Sequence, residues 1–383
     1  MTSLRLRSIE PVIGIDGSRL GLAQRTGTET YAWETLRAMA RIAPSLPIRL
    51  YLNNNSVPDG LPDDWQRRSI PFPRLWTHAR LSLEMALHPP ALLWIPAHVI
   101  PANHPRSIVT IHDLGYLHHP EGHTDRQRRT LDLTTRWSAR VADRIIAVSE
   151  LTRRDLVERY HVPDDRIRVI PHGVSDRFKP ANADEIVSVR SSLNIDGPYV
   201  LAVGTVQPRK NYDGLARAMA QVQEQGFPHR LVIAGKPGWM ADSVHRDVAA
   251  ANLGDRVRFL DYVSSEQLPA LYTAADAVAF PSWYEGFGLP ALEAMACGAP
   301  VIVSNRGALP EIAGNAAVVF DPGEDSELAS AIIRVISDRS FREALIARGH
   351  VNVASYSWNR TAGLTLELLM ERSGITSGLS RSW

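Results

Sequence analysis

PSWYEGFGLPALEAMACGAP, residues 281–300, places two acids, Glu285 and Glu293, around the run Gly286-Phe287-Gly288-Leu289. Short apolar runs at 277–280 and 301–304 bracket it, and Pro290 opens a helical stretch that Gly298 closes. Proline suits the first helical position and glycine the position just past the last. The segment therefore reads strand, loop, helix, strand, the unit of a parallel sheet covered by helices. Glycine lets a backbone approach a ligand closely. Free amides at a helix N-terminus attract anions. The segment is thus an anion cradle flanked by two carboxylates. Carboxylates repel phosphate, so these two are expected to accept hydrogen bonds from neutral hydroxyls. Phosphate with hydroxyls on both sides is the chemistry of a nucleotide sugar.

The same alternation runs through the chain. Apolar runs at 12–15, 48–52, 92–95, 108–111, 144–148 and 168–170 form one series of candidate strands. Runs at 199–203, 231–234, 257–260, 277–280, 301–304 and 317–320 form a second. Helical patterns separate many of them, for example 30–42, 150–160, 212–225 and 266–274. The expected fold is α/β, with two doubly wound, Rossmann-like domains facing a central cleft. The break lies near His172–Ser191, where PHGVSDRFKPANADE, residues 171–185, is rich in turn formers and charges and has no apolar periodicity. Domains over 1–175 and 176–357 follow. A last helix over 358–383, beginning WNRTAGLTLELLMER with Ser357 as N-cap, is expected to pack back on the first, its end frayed.

A chain of 383 residues is long enough for two domains. Hydrophobic residues at 44% and charged residues at 22% suit a globular protein. A net charge of +1 gives no argument for nucleic acid as a partner. Charges interrupt the opening MTSLRLRSIEPVIGID before an apolar region develops, so it is not read as a signal peptide. No run approaches the ~20 apolar residues that span a bilayer. A cytoplasmic protein is expected, with any membrane contact peripheral, at the inner face of the membrane. The basic-aromatic stretch Phe72, Arg74, Trp76, His78 and Arg80, continued by LSLEMALHPP, reads as an amphipathic helix packed on its domain, with an anionic membrane or acceptor lipid as the alternative. Cys297, the one cysteine, lies in an apolar helical run and reads as an inert thiol. Oligomeric state leaves no signature.

Ligands in doubly wound folds sit beyond the C-terminal ends of strands, and the chemistry-bearing residues fall there. Arg209 and Lys210 follow the strand YVLAVG. Together they can neutralise a diphosphate, the guanidinium as a two-pronged donor and the ammonium as a point charge. A departing diphosphate gains negative charge, so cations there stabilise the transition state more than the ground state. Glu293 is placed in the first turn of its helix, where a dipole role competes with ligand binding. His112-Asp113 follows SIVTI, and the imidazole there suits a sugar hydroxyl. His118, His119 and His123 have no recognised ligand spacing, so no metal site is expected. Gly27 stands where a phosphate-approaching loop meets a helix after the first strand and Asp16, an ordinary helix entry being the alternative. There is neither a G-x-G-x-x-G nor a Walker loop, so no nicotinamide or P-loop site and no bound cofactor is expected. Asp261-Tyr262-Val263 ends a strand, where backbone can meet a nucleobase, and Ser264 with Gln267 has capping-box spacing.

These residues together resemble a known family. PSWYEGFGLPALEAMACGAPVIVSN is similar to the signature of the retaining nucleotide-sugar glycosyltransferases of family 4, or group 1, with the GT-B architecture. AVGTVQPRKNYDGLARA, TIHDLGYLHHPE, IIAVSELTRRDL, VIPHGV and SWNRTAGLTLELL resemble further markers of it, over most of the chain. The resemblance implies that Glu285 meets donor-sugar hydroxyls and Glu293 the ribose. It implies that Arg209 and Lys210 grip the diphosphate in place of a metal ion. Gly286, Phe287, Gly288 and Leu289 would belong to the donor loop, with backbone contacts from the last three, while His112 would touch the donor sugar. Gly27 would lie near the diphosphate or acceptor, although QRTGTETY is poorer in glycine than the loop of some relatives. The implied reaction is hexose transfer, with mannose as first choice, from a GDP- or UDP-linked donor to a glycan or lipid-linked acceptor. A sugar-nucleotide epimerase of similar shape and a non-catalytic nucleotide-sugar-binding partner are the competing readings.

Overall fold

The computed structural model describes residues 10–20, 27–53, 59–72 and 75–375. The expectations for the first nine residues, for residues 21–26, for Arg74 and for the tail 376–383 lie outside the described residues. The chain divides into two compact units. One comprises Met1–Leu114, Asp125–Gly173 and Trp358–Trp383, and the other Gly115–Thr124 and Val174–Ser357.

The first unit carries strands β1 (Glu10–Asp16), β2 (Ile48–Leu52), β3 (Gln66–Ser69), β4 (Pro90–Ile95), β5 (Ser107–Ile111), β6 (Arg144–Ala147) and β7 (Ile167–Val169). Their order is β3-β2-β1-β4-β5-β6-β7, and all pairs are parallel. Central parallel strands are buried on both faces, so they read as unbroken apolar runs, and β5 is buried along its whole length. β3 is the strand that the apolar pattern missed. Its sequence is QRRS, all four residues are exposed, and it pairs at the sheet edge. Backbone pairing at an edge requires no apolar side chains, so periodicity carries no signal there. The helix Trp358–Ser373 packs against the helix Gly27–Ile42, burying Trp358, Ala362, Leu366 and Leu369.

The second unit carries β8 (Tyr199–Val203), β9 (Arg230–Ala234), β10 (Val257–Phe259), β11 (Ala277–Phe280), β12 (Val301–Ser304) and β13 (Ala317–Phe320). Their order is β10-β9-β8-β11-β12-β13, again parallel throughout. Val200, Leu215, Met219, Ile233, Ile302 and Ile332 lie in its core. In each sheet the winding reverses at the first strand, between β1 and β4 and between β8 and β11. The loops leaving β8 and β11 are therefore neighbours although some 80 residues separate them.

Two local expectations are corrected. The stretch 171–185 is not irregular to its end, because the helix Ala183–Ser192 starts inside it. Asn182 accepts a hydrogen bond from the Glu185 amide at 2.9 Å, and the Glu185 carboxylate accepts one from the Asn182 amide at 2.8 Å. The charges that looked like linker are in part a capping box. Conversely, Ser264 and Gln267 form only the returning half of one. Gln267 Oε1 accepts from the Ser264 amide at 3.4 Å, and the helix Leu268–Thr273 begins after Gln267.

Candidate functional site

The switch point of the second sheet assembles a partly buried ion cluster. The loop leaving β8 ends in a short 3-10 turn, Pro208–Lys210. It stops at Asn211, whose left-handed φ of 53° is held by a hydrogen bond from its side-chain amide to the Pro322 carbonyl at 3.0 Å. Lys210 Nζ lies 2.5 Å from Glu285 Oε1, and Arg209 Nη1 lies 3.1 Å from Glu285 Oε2. Arg209 also donates to the Tyr284 carbonyl. Ser282 Oγ donates to Glu285 Oε1 at 2.7 Å, and Ser304 Oγ holds the Ser282 carbonyl at 2.6 Å. The Glu285 backbone is fixed as well. Its carbonyl accepts from the Ala308 amide at 2.8 Å. Gly307, with φ of 65°, passes so close that a Cβ there would stand 2.5 Å from the Glu285 nitrogen.

Burial by itself would raise the pKa of Glu285. The Arg209 and Lys210 charges, with hydrogen bonds from Lys210 and Ser282, outweigh it and hold the carboxyl at about 2. Lys210 moves down, because burial and Arg209 together exceed the support from Glu285. Sequence reasoning placed the cations and the acid at separate stations. The structure joins them into one cluster with two positive charges and one negative. Ser282, Ser304 and Gly307 were missed. Ser282 lies inside the quoted signature, but a serine three residues before an acid has no pattern of its own.

Glu293 lies in a different environment. Its helix is Leu289–Ala296, entered through Gly288 at φ 101° with Pro290 in the first turn. Glu293 is the fifth residue, so the first-turn placement is corrected, and with it the dipole role, which fades beyond the first turn. Glu293 is buried, and Tyr272 Oη donates to its Oε2 at 3.4 Å. Burial pushes its pKa up to about 7 against the Tyr272 hydrogen bond and the Arg177 charge. Burial, aided by Glu293, pushes Cys297 up to about 12, so the thiol is inert at neutral pH. Phe287 is buried, its ring edge-on to Tyr356 at 6.1 Å. Val263 is buried in the loop beyond β10, which ends at Phe259, and Asp261 turns that loop with φ of 51°.

In the first unit, His112 follows β5 and is buried. Its Nε2 lies 2.7 Å from the Pro96 carbonyl, and its backbone amide donates to His98 Nε2 at 2.8 Å. Tyr31 meets the His112 ring edge-on at 4.8 Å, and His172 meets it at 5.5 Å. Burial and the neighbouring His98 push the His112 pKa down to about 4, so the imidazole is neutral at pH 7. Gly27 opens the helix that carries Tyr31, one turn earlier, and nothing stands within 4 Å of where its Cβ would be. His98, His172 and Tyr31 were missed, although His98 obeys the same rule of following a strand end.

Among the described residues no group of His, Cys, Asp and Glu could hold a metal ion. His118 instead stacks on Tyr284 with centroids 4.8 Å apart. The basic-aromatic stretch is not one amphipathic helix. It is a π-helical turn, Trp76–Leu81, running into a short helix, Ser82–Leu87. Trp76 is buried and donates to the Ile70 carbonyl at 2.9 Å, while Arg68, Arg80 and His88 converge on the buried Glu84. Among the described residues no helix is long and apolar enough to cross a membrane.

Known proteins resemble this chain in sequence and in fold. The family model for Glycosyltransferase Family 4 matches residues 25–178, and that for Glycosyl transferases group 1 matches residues 185–351. The chain is 33% identical over 273 residues to the O-antigen chain mannosyltransferase B of Escherichia coli, covering 71% of this chain and 72% of that one. Other relatives are longer, and the chain spans about half their length. Sucrose-phosphate synthase from Thermosynechococcus elongatus has the same fold, with a TM-score of 0.75 and 24% identity over 94% of this chain and 98% of that one. So does HepE of Anabaena, solved with UDP and glucose, with a TM-score of 0.72 and 18% identity over 94% and 99%.

Proposed function

The chain belongs to the group 1 glycosyltransferases of family 4, and from that premise we propose that it carries mannose from a nucleoside diphosphate donor to a glycan or lipid-linked acceptor, with retention and without a metal ion. The observation that carries the reading is the Arg209–Lys210–Glu285 cluster at the switch point of the second sheet. Mannose is the first choice because the E. coli relative is named a mannosyltransferase.

In this reading the donor diphosphate takes over hydrogen bonds from Arg209 and Lys210 that Glu285 now receives. Both cations are already held in place, so little reorganisation is needed as charge develops. The bond from the anomeric carbon to the diphosphate breaks. The acceptor oxygen bonds to that carbon on the same face, and its proton passes to the leaving phosphate oxygen, so no enzymic base is required. Glu285 stays anionic down to a pH of about 2, which suits it to accept sugar hydroxyls and to offset positive charge at the anomeric carbon. Glu293 receives the ribose hydroxyls, whose hydrogen bonds favour its ionised form. Gly286 to Leu289 and Val263 line the donor through backbone. His112 accepts a sugar hydroxyl as a neutral imidazole, and Gly27 admits the diphosphate or acceptor close to backbone.

The test is a screen of GDP-mannose and UDP-linked hexoses in the presence of EDTA, with release of nucleoside diphosphate and product configuration as readouts. Release without metal is expected. Lys210→Ala is expected to lower kcat about 10²–10³-fold with a much smaller change in donor KM. An unchanged kcat, or turnover abolished by EDTA and restored by magnesium, overturns the leaving-group assignment.

A further inference from the structure

We propose that His98 is a positioning residue for this transfer, holding His112 in the tautomer and orientation that offer its Nδ1 lone pair to a hydroxyl of the donor sugar. The inference rests on the contact assigned above to His112. A carbonyl oxygen only accepts, so the 2.7 Å contact between His112 Nε2 and the Pro96 carbonyl places the proton on Nε2. In the neutral ring Nδ1 is then bare and accepts. The His112 amide donates to His98 Nε2 at 2.8 Å, so that nitrogen is unprotonated and the His98 proton sits on Nδ1. The two rings lie nearly parallel, 14° apart with centroids at 5.8 Å.

Both constraints come from one short segment, residues 96–98, which leaves β4 beside the end of β5. His98 is itself held there, its amide donating to the Thr110 carbonyl at 3.2 Å. Tyr31 and His172 pack on the His112 ring from other directions. Removing the His98 side chain leaves a buried backbone N–H without its acceptor and frees the loop that presents His112. Glutamine, whose amide oxygen reaches about as far from the backbone as Nε2, can restore the acceptor.

The experiment compares His112→Ala, His98→Ala, His98→Gln and the His98→Ala/His112→Ala pair in the full chain. Readouts are donor kcat and KM, melting temperature, and the ring 15N shifts of His112, which report its tautomer without any donor. His112→Ala and His98→Ala are each expected to lower kcat about tenfold, the scale of one hydrogen bond. His98→Gln should recover most of it, and the pair should be no worse than His112→Ala alone. The His112 15N shifts should show protonated Nε2 and bare Nδ1, with a mixture of tautomers in His98→Ala. An unaffected His98→Ala beside an impaired His112→Ala overturns the positioning role only. Equal loss in His98→Ala and His98→Gln, tracking melting temperature, also overturns it. An unaffected His112→Ala removes the sugar contact itself and the inference with it.

Discussion

Glu285 and Glu293 are the same residue type, eight positions apart, and their surroundings drive them in opposite directions. Glu285 is paired with two cations and held at about 2, while Glu293 is buried against the Tyr272 hydroxyl and raised to about 7. Linkage then gives each a pH window. The depressed Glu285 contributes stability that is present above the ordinary carboxyl range, near 4.5, and is lost as pH falls toward 2. The raised Glu293 acts the other way. Between about 4.5 and 7 the folded state binds the extra proton, so its contribution to stability decreases as pH rises through that window. Glu293→Gln is expected to remove that slope. Against wild type, chemical denaturation at pH 5 and pH 8 should show a difference in pH dependence on the order of 3 kcal/mol or less. Parallel pH profiles for the two proteins would rule out the raised carboxyl. The spacing of the two acids was readable in the chain, but their opposite ionisation was not. Burial and partners set it, and both arrive from residues far away in sequence.

Helices and strands of this protein were mostly legible, because their signals are local. Among the described residues, twelve of the thirteen strands have apolar runs, and the exception, β3, is a polar edge strand. The joining of elements decides the site. β8 and β11 are neighbours in the sheet, so the loop bearing Arg209 and Lys210 meets the loop bearing Glu285. The loop after β12 completes it through Gly307, which lies against the Glu285 backbone. Gly307→Ala forces a side chain onto a left-handed φ of 65° and into the Glu285 nitrogen. A strain of about 1–3 kcal/mol should lower the melting temperature by roughly 5 °C. Loss of the Ala308–Glu285 bond should also displace the carboxylate and lower kcat. A variant with wild-type melting and turnover would show that this contact constrains nothing.

The whole molecule is not built in chain order. The helix Trp358–Ser373 belongs to the first unit, with strands whose last residue, Val169, comes nearly 190 residues earlier. Arg372 pairs with Asp143 at 2.6 and 2.8 Å, and Arg168 pairs with Glu367 at 2.7 Å. Thr361 Oγ1 donates to the Pro171 carbonyl at 2.8 Å. These partly exposed pairs contribute little on their own, so the apolar face must dominate. Trp358→Ala should therefore cost about 3–5 kcal/mol, read by chemical denaturation, whereas Arg372→Ala should cost about 1 kcal/mol or less. The reverse ranking would mean that ion pairs rather than packing dock the helix.

The chain alone determined the two-sheet α/β architecture, the acids of the 281–300 loop and the cations that follow YVLAVG, because strand–helix alternation and strand-end placement are written in neighbouring residues. Only the tertiary structure decided that Arg209 and Lys210 clasp Glu285, that Glu293 is buried to a pKa of about 7, and that His98 and Pro96 orient His112. Each of these depends on which strands lie side by side and on what covers them, and distances and desolvation across a sheet leave no periodic trace in the sequence.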